Sequence, residues 1–196
     1  MMDGLIRTDP LNDLFGRIMK NDLYCHQFYR FSLCLRPVDL RASGSDLSHI
    51  ADWLDSELNG GHFPDKDFQL SSTYQQWEEP EDRLVMVWLN NSTRVNAAEI
   101  SPLSKAGIIE DGPDDPGYFF LHFIRAPEAV SPLNVYLNSL RLVIEYLFEI
   151  LGATHIFVRQ APFDAILLEG RFGFTHYREL GNGYAVYFLN RNMYQR

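Results

Sequence analysis

The sequence predicts an α/β (α+β) fold, a mixed, mostly antiparallel sheet with helices on both faces. Three observations point there. Apolar residues recur with period two in some stretches and with helical period in others, and the two kinds alternate along the chain. Two strand-like runs, "RLVMVWL" and "TRVNAAEIS", are parted only by "NNS", which leaves room for nothing but an antiparallel hairpin. "YFFLHFI" is apolar almost throughout, as a central strand covered on both faces should be, and a long helix follows that can carry the chain across to a parallel neighbour. The 196 residues suffice for one full core. No repeat or Gly/Ser-rich linker divides them, so one domain is expected over 1–196, with residues 1–28 as a helical N-terminal extension.

The elements follow in order. In "DPLNDLFGRIM", Asp9 can cap and Pro10 suits the first helical position, and Leu11, Leu14, Phe15, Ile18 and Met19 recur at helical spacing. "RFSLCLRPVD" alternates through Phe31, Leu33 and Leu35 and is closed by Pro37. Ser45 can cap a helix striped by Leu47, Ile50, Trp53, Leu54 and Leu58 and stopped by Asn59-Gly60-Gly61. "HFPDKDFQLSSTYQQWEEPED" has no clear period. After the hairpin comes a loop dense in Pro, Gly and Asp, then "YFFLHFI". In "SPLNVYLNSLRLVIEYLFEILG", Ser131 caps, Pro132 opens, Leu133, Leu137, Leu140, Ile144, Leu147 and Leu151 share a face, and Gly152 terminates. A short strand "HIFVR", a short helix "DAILLEGR", the pair Gly173-Phe174 and a closing hairpin around Gly181-Asn182-Gly183 complete the chain.

Composition excludes several classes. The net charge of −9 argues against a nucleic-acid surface, which needs clustered Lys and Arg. It leaves room for an anionic cofactor, which needs only local positive potential. Cys25 and Cys34 fit no metal spacing, and two thiols make no disulfide framework; this reads as a reducing, cytoplasmic setting. "MMDGLIRTDP" has no signal-peptide core, and no segment approaches the ~18 apolar residues of a membrane span, so no membrane partner is expected. His26, His49, His62, His155 and His176 show no mutual ligand spacing, so no metal site is expected.

The order of elements, and above all "GATHIFVR…AILLEGRFGFTHYREL…YAVYFL", resembles the GCN5-related N-acetyltransferase superfamily, whose members end with a strand, a short helix, a Gly-Phe and two antiparallel strands. Within it the chain is most similar to the acyltransferases of hydroxamate siderophore biosynthesis, the aerobactin type. "LCLRPVDLRASGSDLSHIADWLDSE" resembles their opening strand and Trp-bearing helix, "AAEISPLSKAGI" their Glu-containing strand, and "DDPGYFFLHFI" the Asp-x-Gly entry to their central strand. The resemblance covers roughly residues 30 to 190.

It implies a GNAT-like sheet and an N-acyltransferase that moves an acyl group from acetyl-CoA or another acyl-CoA to a small amine or N-hydroxylated amine. It leaves a homodimer open. The CoA diphosphate would lie at the N-terminus of the long helix, with Ser131, Leu133, Asn134, Val135 and Tyr136 offering N–H groups or contacts and Arg125 offering charge. Main-chain groups of Phe123, Ile124 and Arg125 would pair with the pantetheine arm.

Departures from the family pattern are equally plain. "RAPEAVSPLNVYLN" lacks the usual glycines, and Pro132 has no N–H to give. The branch's His falls on Phe119, and its Asp falls at or near Arg159, with Asp164 the nearest carboxylate. His122 is the remaining base candidate; it should point to the face opposite Phe119 and would reach the cleft as the base if the strand bulges there, and a hydrogen-bonded core histidine is the alternative. Glu169 stands where other members carry a Tyr acid, and is otherwise a solvated helix residue. Glu99 could contact an amine or be an exposed edge carboxylate. A diverged binding or structural protein without catalysis is the second reading.

Overall fold

A computed structural model of the chain describes residues 22–38, 46–54, 83–108, 114–160, 162–181 and 183–194. The helix expected over 9–19, the end of the helix after Ser45 and the aperiodic stretch 62–82 lie outside the described residues.

Among the described residues eight strands form one sheet: β1 Tyr24–Gln27, β2 Ser32–Pro37, β3 Arg83–Leu89, β4 Thr93–Pro102, β5 Tyr118–Arg125, β6 His155–Gln160, β7 Thr175–Gly181 and β8 Tyr184–Asn190. Their spatial order is β1-β2-β3-β4-β5-β6-β8-β7. Every neighbouring pair is antiparallel except β5 and β6. Three helices are described: α1 Asp46–Leu54, α2 Leu133–Glu149 and α3 Pro162–Phe172.

The β3–β4 turn is made by Asn90 and Asn91, both at positive φ (49° and 60°). That left-handed pair matches the twist of a two-stranded ribbon, and Asn tolerates it better than branched residues do. Gly173, at φ 79°, ends α3, and Phe174 is buried beside it in the core.

Alternation along the strands sorts side chains onto two faces. Leu33, Val85, Ala98, Leu121, Ile156 and Leu189 face α2 and α3 in one continuous core with Leu140, Ile144, Leu147 and Leu168. On the other face Ile50 and Trp53 of α1 pack on Met86, Ala97 and Ile124. Helices thus cover both faces.

Some expectations need correction. Within the N-terminal extension, residues 24–27 are a strand paired with β2. The cysteines are joined: Cys25 and Cys34 stand directly opposite in the β1–β2 ladder and form a disulfide. Sequence spacing gave no sign of this because the pairing comes from ladder register. It removes the thiol-based ground for a reducing, cytoplasmic setting. Ser131 does not cap α2. Among the described residues no side chain does; the N-cap is Pro132, and the fully buried Ser131 hydroxyl accepts a hydrogen bond from Asn96 Nδ2 instead. Leu133 is about half exposed and stands off the apolar face assigned to it. No described helix is long and apolar enough to cross a membrane.

Candidate functional site

β5 and β6 are paired only at Tyr118–His155, Phe119–Ile156 and Phe120–Phe157. β5 then runs five residues further, Leu121 to Arg125, held by β4 alone on that stretch. At ~3.3 Å per residue this is a rift of roughly 16 Å. Alternate residues along it turn their N–H and C=O toward the gap, where they can pair with an extended chain.

The closed end of the β5–β6 pairing, below the rift, is packed tightly at Gly117. Thr154 and His155 N–H both donate to its carbonyl, and a Cβ there would lie 2.8 Å from Thr154 Oγ1. Asp115 accepts from the Gly117 N–H and folds the turn that enters β5.

The far end of the rift meets the N-terminus of α2. Tyr136 N–H bonds the Pro132 carbonyl, while Leu133, Asn134 and Val135 belong to the first turn, whose N–H groups have no acceptor within a helix. Leu133 and Asn134 are exposed, Val135 is buried, and Tyr136 is half-buried. The Tyr136 ring meets Phe123 edge-on at 5.6 Å, and the Arg125 guanidinium lies 4.7 Å over its face. A cation is thereby set beside the positive end of the helix dipole, as an anion site needs.

Without glycines, a buried asparagine shapes the connection. Asn96 Oδ1 accepts from Ala126 N–H and its Nδ2 donates to Ser131 Oγ, so both ends of the 126–131 turn hang from β4. Its sequence signal was a lone amide inside the small, apolar run "RVNAAEI". A buried amide there has to find partners.

His122 lies opposite Phe119, as expected. Phe119, Leu121 and Phe123 pack toward α2, whereas Ile124 faces α1 and Phe120 faces a third cluster with Leu103, Phe157 and Val186. His122 lies between those two smaller clusters. The β4–β5 register is continuous from Asn96–Arg125 to Pro102–Phe119, so no bulge re-aims it. Directly across is Glu99, whose Oε2 is 3.4 Å from His122 Nδ1, with side chains 24% and 16% exposed. Glu99 is therefore no edge carboxylate; β4 is an interior strand. Arg159 shares this face, two residues past Phe157 as His122 is two past Phe120, and its guanidinium lies 5.7 Å from the Tyr184 ring.

Glu169 is not brought to this pair. It sits exposed on α3, the helix whose Ala165, Leu168 and Phe172 pack on the opposite face. Its influence falls on Tyr187: burial, reinforced by the charges of Glu169 and Glu179, pushes that phenol above its ordinary range. A separate shallow concavity, of about 90 Å³, is lined by Glu145, Phe148, Glu149, Arg191 and Tyr194 at the other end of α2. Among the described residues the one cluster with metal-ligand atoms, Asp22, Cys25 and Cys34, has its sulfurs joined and its carboxylate paired with Arg36.

No protein-family model matches the sequence, and no curated protein matches it. Solved structures do match in shape. An uncharacterized protein from Bacillus halodurans is 13% identical, with a TM-score of 0.68 over 88% of this chain and 93% of its own. The aminoglycoside acetyltransferase AAC(6')-Ib in complex with coenzyme A is 17% identical, with a TM-score of 0.63 over 82% of this chain and 96% of its own. The Campylobacter jejuni N-acetyltransferase PseH in complex with acetyl coenzyme A is 11% identical, with a TM-score of 0.53 over 80% and 99%. With the one parallel pair among its described strands splayed beside a helix N-terminus, the chain has the fold of the GCN5-related acetyltransferases.

Proposed function

We propose that the protein is an acyl-CoA-dependent N-acyltransferase acting on a small amine or N-hydroxylated amine. The observation that carries this is the rift itself: five residues of β5 without a β6 partner, ending at an uncapped helix N-terminus with Arg125 beside it. The likeness in shape to acetyltransferases solved with coenzyme A or acetyl coenzyme A supports the same reading.

In the proposed reaction the amine nitrogen attacks the thioester carbonyl. The C–N bond forms, the C–S bond breaks, and CoA leaves as thiolate or thiol. The amine loses a proton; with no bulge to re-aim the strand, His122, the base candidate, would have to take it on the face opposite Phe119. Main chain at Phe123, Ile124 and Arg125 would hold the pantetheine arm. The turn from Ser131 to Tyr136 would face the diphosphate, with Leu133, Asn134 and Val135 N–H as donors. Glu169 is the acid candidate carried over by the resemblance; Glu169→Gln should slow turnover if it protonates the leaving thiolate and leave it unchanged if it only solvates α3. A siderophore-type N-hydroxylated acceptor, a cytoplasmic location and a homodimer belong to this reading as its finer parts.

Calorimetric titration with acetyl-CoA tests it. Binding is expected in the wild type and a weaker, less salt-dependent signal in Arg125→Glu. If millimolar acetyl-CoA gives neither heat nor a melting shift, the second reading takes over, a diverged binding or structural protein. The absence of glycine from 125–138, Phe119 where the branch carries its His, and the Arg at position 159 favour that alternative.

A further inference from the structure

We propose that the Cys25–Cys34 bond is a redox latch. Closed, it fastens the edge strand β1 to the sheet. Opened by a dithiol, it releases β1 and slackens the charged stack around Trp88 through which that end of the sheet holds α1. The latch does not depend on the acyltransferase reading above.

The bond fastens a small part of the molecule. Its cysteines are nine positions apart and already face each other in the β1–β2 ladder, so it closes a short hairpin and joins no distant parts of the core. β1 is four residues long, all of them only partly buried, and among the described strands it lies at the end of the sheet beside β2 alone. None of its residues belongs to the buried members of the main cluster; Tyr24 only packs against it. An element with so little apolar burial opens as a local unit while the core stays closed. The contacts it would give up are mostly polar. The Tyr24 hydroxyl donates to Glu149, His26 lies 3.4 Å from Glu145, and Asp22, just ahead of the strand, pairs with Arg36.

The consequence reaches α1 through Trp88. Cys34 stands opposite Trp88 in the β2–β3 ladder, so the bond and the indole share a face of the sheet. Two guanidinium groups hold the indole, Arg36 at 4.9 Å and Arg94 at 4.5 Å from the ring centre. Arg36 is tethered by Asp22 and by Asn91, and Arg94 by Asp46, the first residue of α1. Asp22, Arg36, Trp88, Arg94 and Asp46 therefore form one run of contacts from the latched strand to the helix. Departure of β1 withdraws Asp22, its first member.

The chemistry enters at Cys25, which is partly exposed, whereas Cys34 is 3% exposed. A thiolate of the dithiol attacks Cys25 Sγ. The S–S bond breaks, a mixed disulfide forms at Cys25, and Cys34 leaves as a thiolate that takes a proton. The second thiol of the reductant then closes its own disulfide and releases Cys25 as a thiol. Two electrons and two protons pass to the protein, and the dithiol ends as a disulfide.

The test uses the intact chain, closed with oxidised glutathione and then treated with millimolar dithiothreitol without denaturant. Alkylation and mass should show a change from no free thiol to two, with a cooperative melt retained; the chain has no other cysteine to confuse the count. Amide exchange should quicken roughly 10-fold or more in 24–27 and roughly 2–5-fold in α1, with the middle of α2 unchanged. Emission from Trp88 should rise as the quenching disulfide disappears, and the rise should be missing from Trp88→Phe. Reoxidation should reverse each change. Cys25→Ser, which cannot form the bond, should show the open pattern with or without dithiothreitol. A bond that resists dithiothreitol until the protein is denatured would overturn the proposal. So would loss of the cooperative melt on reduction, which would make the bond a staple of the whole fold. Unchanged exchange in β1 or in α1 would overturn it equally, since the latch needs both ends to respond.

Discussion

On the α2 side of the sheet one unbroken apolar cluster runs from β2 to β8, and α2 and α3 both pack on it. On the α1 side the filling is interrupted. One small cluster lies under α1, another under the loop that carries Leu103, and Glu99 and His122 hold the interval. The strands are the same; the difference comes from alternate residues. Continuous burial of one face supplies stability that is proportional to apolar area. An interrupted face gives up some of that area and keeps room for polar groups beside the rift. Stability and chemistry can therefore be perturbed separately by choosing odd or even positions of one strand.

The largest expected effect is on the interrupted face. Under the proposed function, His122→Ala should lower turnover by roughly 10²–10⁴-fold while leaving acetyl-CoA affinity nearly unchanged. Melting and turnover measured on the same variant decide it: a destabilised protein with full specific activity would make His122 a core residue and erase the contrast.

The continuous face should answer in stability instead. Leu147, fully buried in the main core, should cost ~2–5 kcal/mol as Leu147→Ala in denaturant unfolding. Leu103→Ala, in the small cluster beneath a loop that can settle into the space, should lie at the low end of that range. Equal losses would mean that the two faces are not different in kind.

Gly117→Ala probes the seam between them. Its Cβ would press on both branches of the Thr154 side chain, at 2.8 Å and 3.0 Å, just where β5 and β6 are still joined. A loss of ~1–3 kcal/mol is expected from overpacking, read as a lower denaturation midpoint. Acetyl-CoA affinity should fall with it if the closed end of the β5–β6 pairing sets the width of the rift.

The smallest effect is a pH dependence on the far side of α2. Burial alone would raise the Glu145 carboxyl, but hydrogen bonds from His26 and Arg141, then their charges, outweigh it and hold the group below its ordinary value. A lowered folded-state value gives stability that is present above the ordinary carboxylate pKa of ~4.3 and is lost as pH falls through the lower folded value. Melting followed downward from pH 7 should therefore drop more steeply in the wild type than in Glu145→Gln. Parallel curves would show that this pair adds nothing to the covered face.

What was legible in the sequence was local. Period two marked the β3–β4 hairpin, period 3.6 marked α2, and Gly152 and Gly173 marked helix ends because a left-handed residue is needed there (φ 73° and 79°). The order of those elements, together with Gly173-Phe174, was enough to name the fold, since a chain with these strands, one long crossover and a closing hairpin has few ways to pair. The site was legible only in part: His122 could be placed opposite Phe119 by alternation, but nothing in the chain's own order said that Glu99, 23 positions earlier, would stand across from it. Register between strands decided that, as it decided the Cys25–Cys34 bond. Ser131 had the right local chemistry for a cap, and the tertiary structure took its hydroxyl for Asn96 instead, because a buried amide needs a partner more than an exposed helix end does. Periodicity and turn chemistry act over a few neighbouring residues and can be read in line. Register, the rift and the Glu99–His122 contact arise from packing between segments far apart in sequence, and only the folded sheet brings them together.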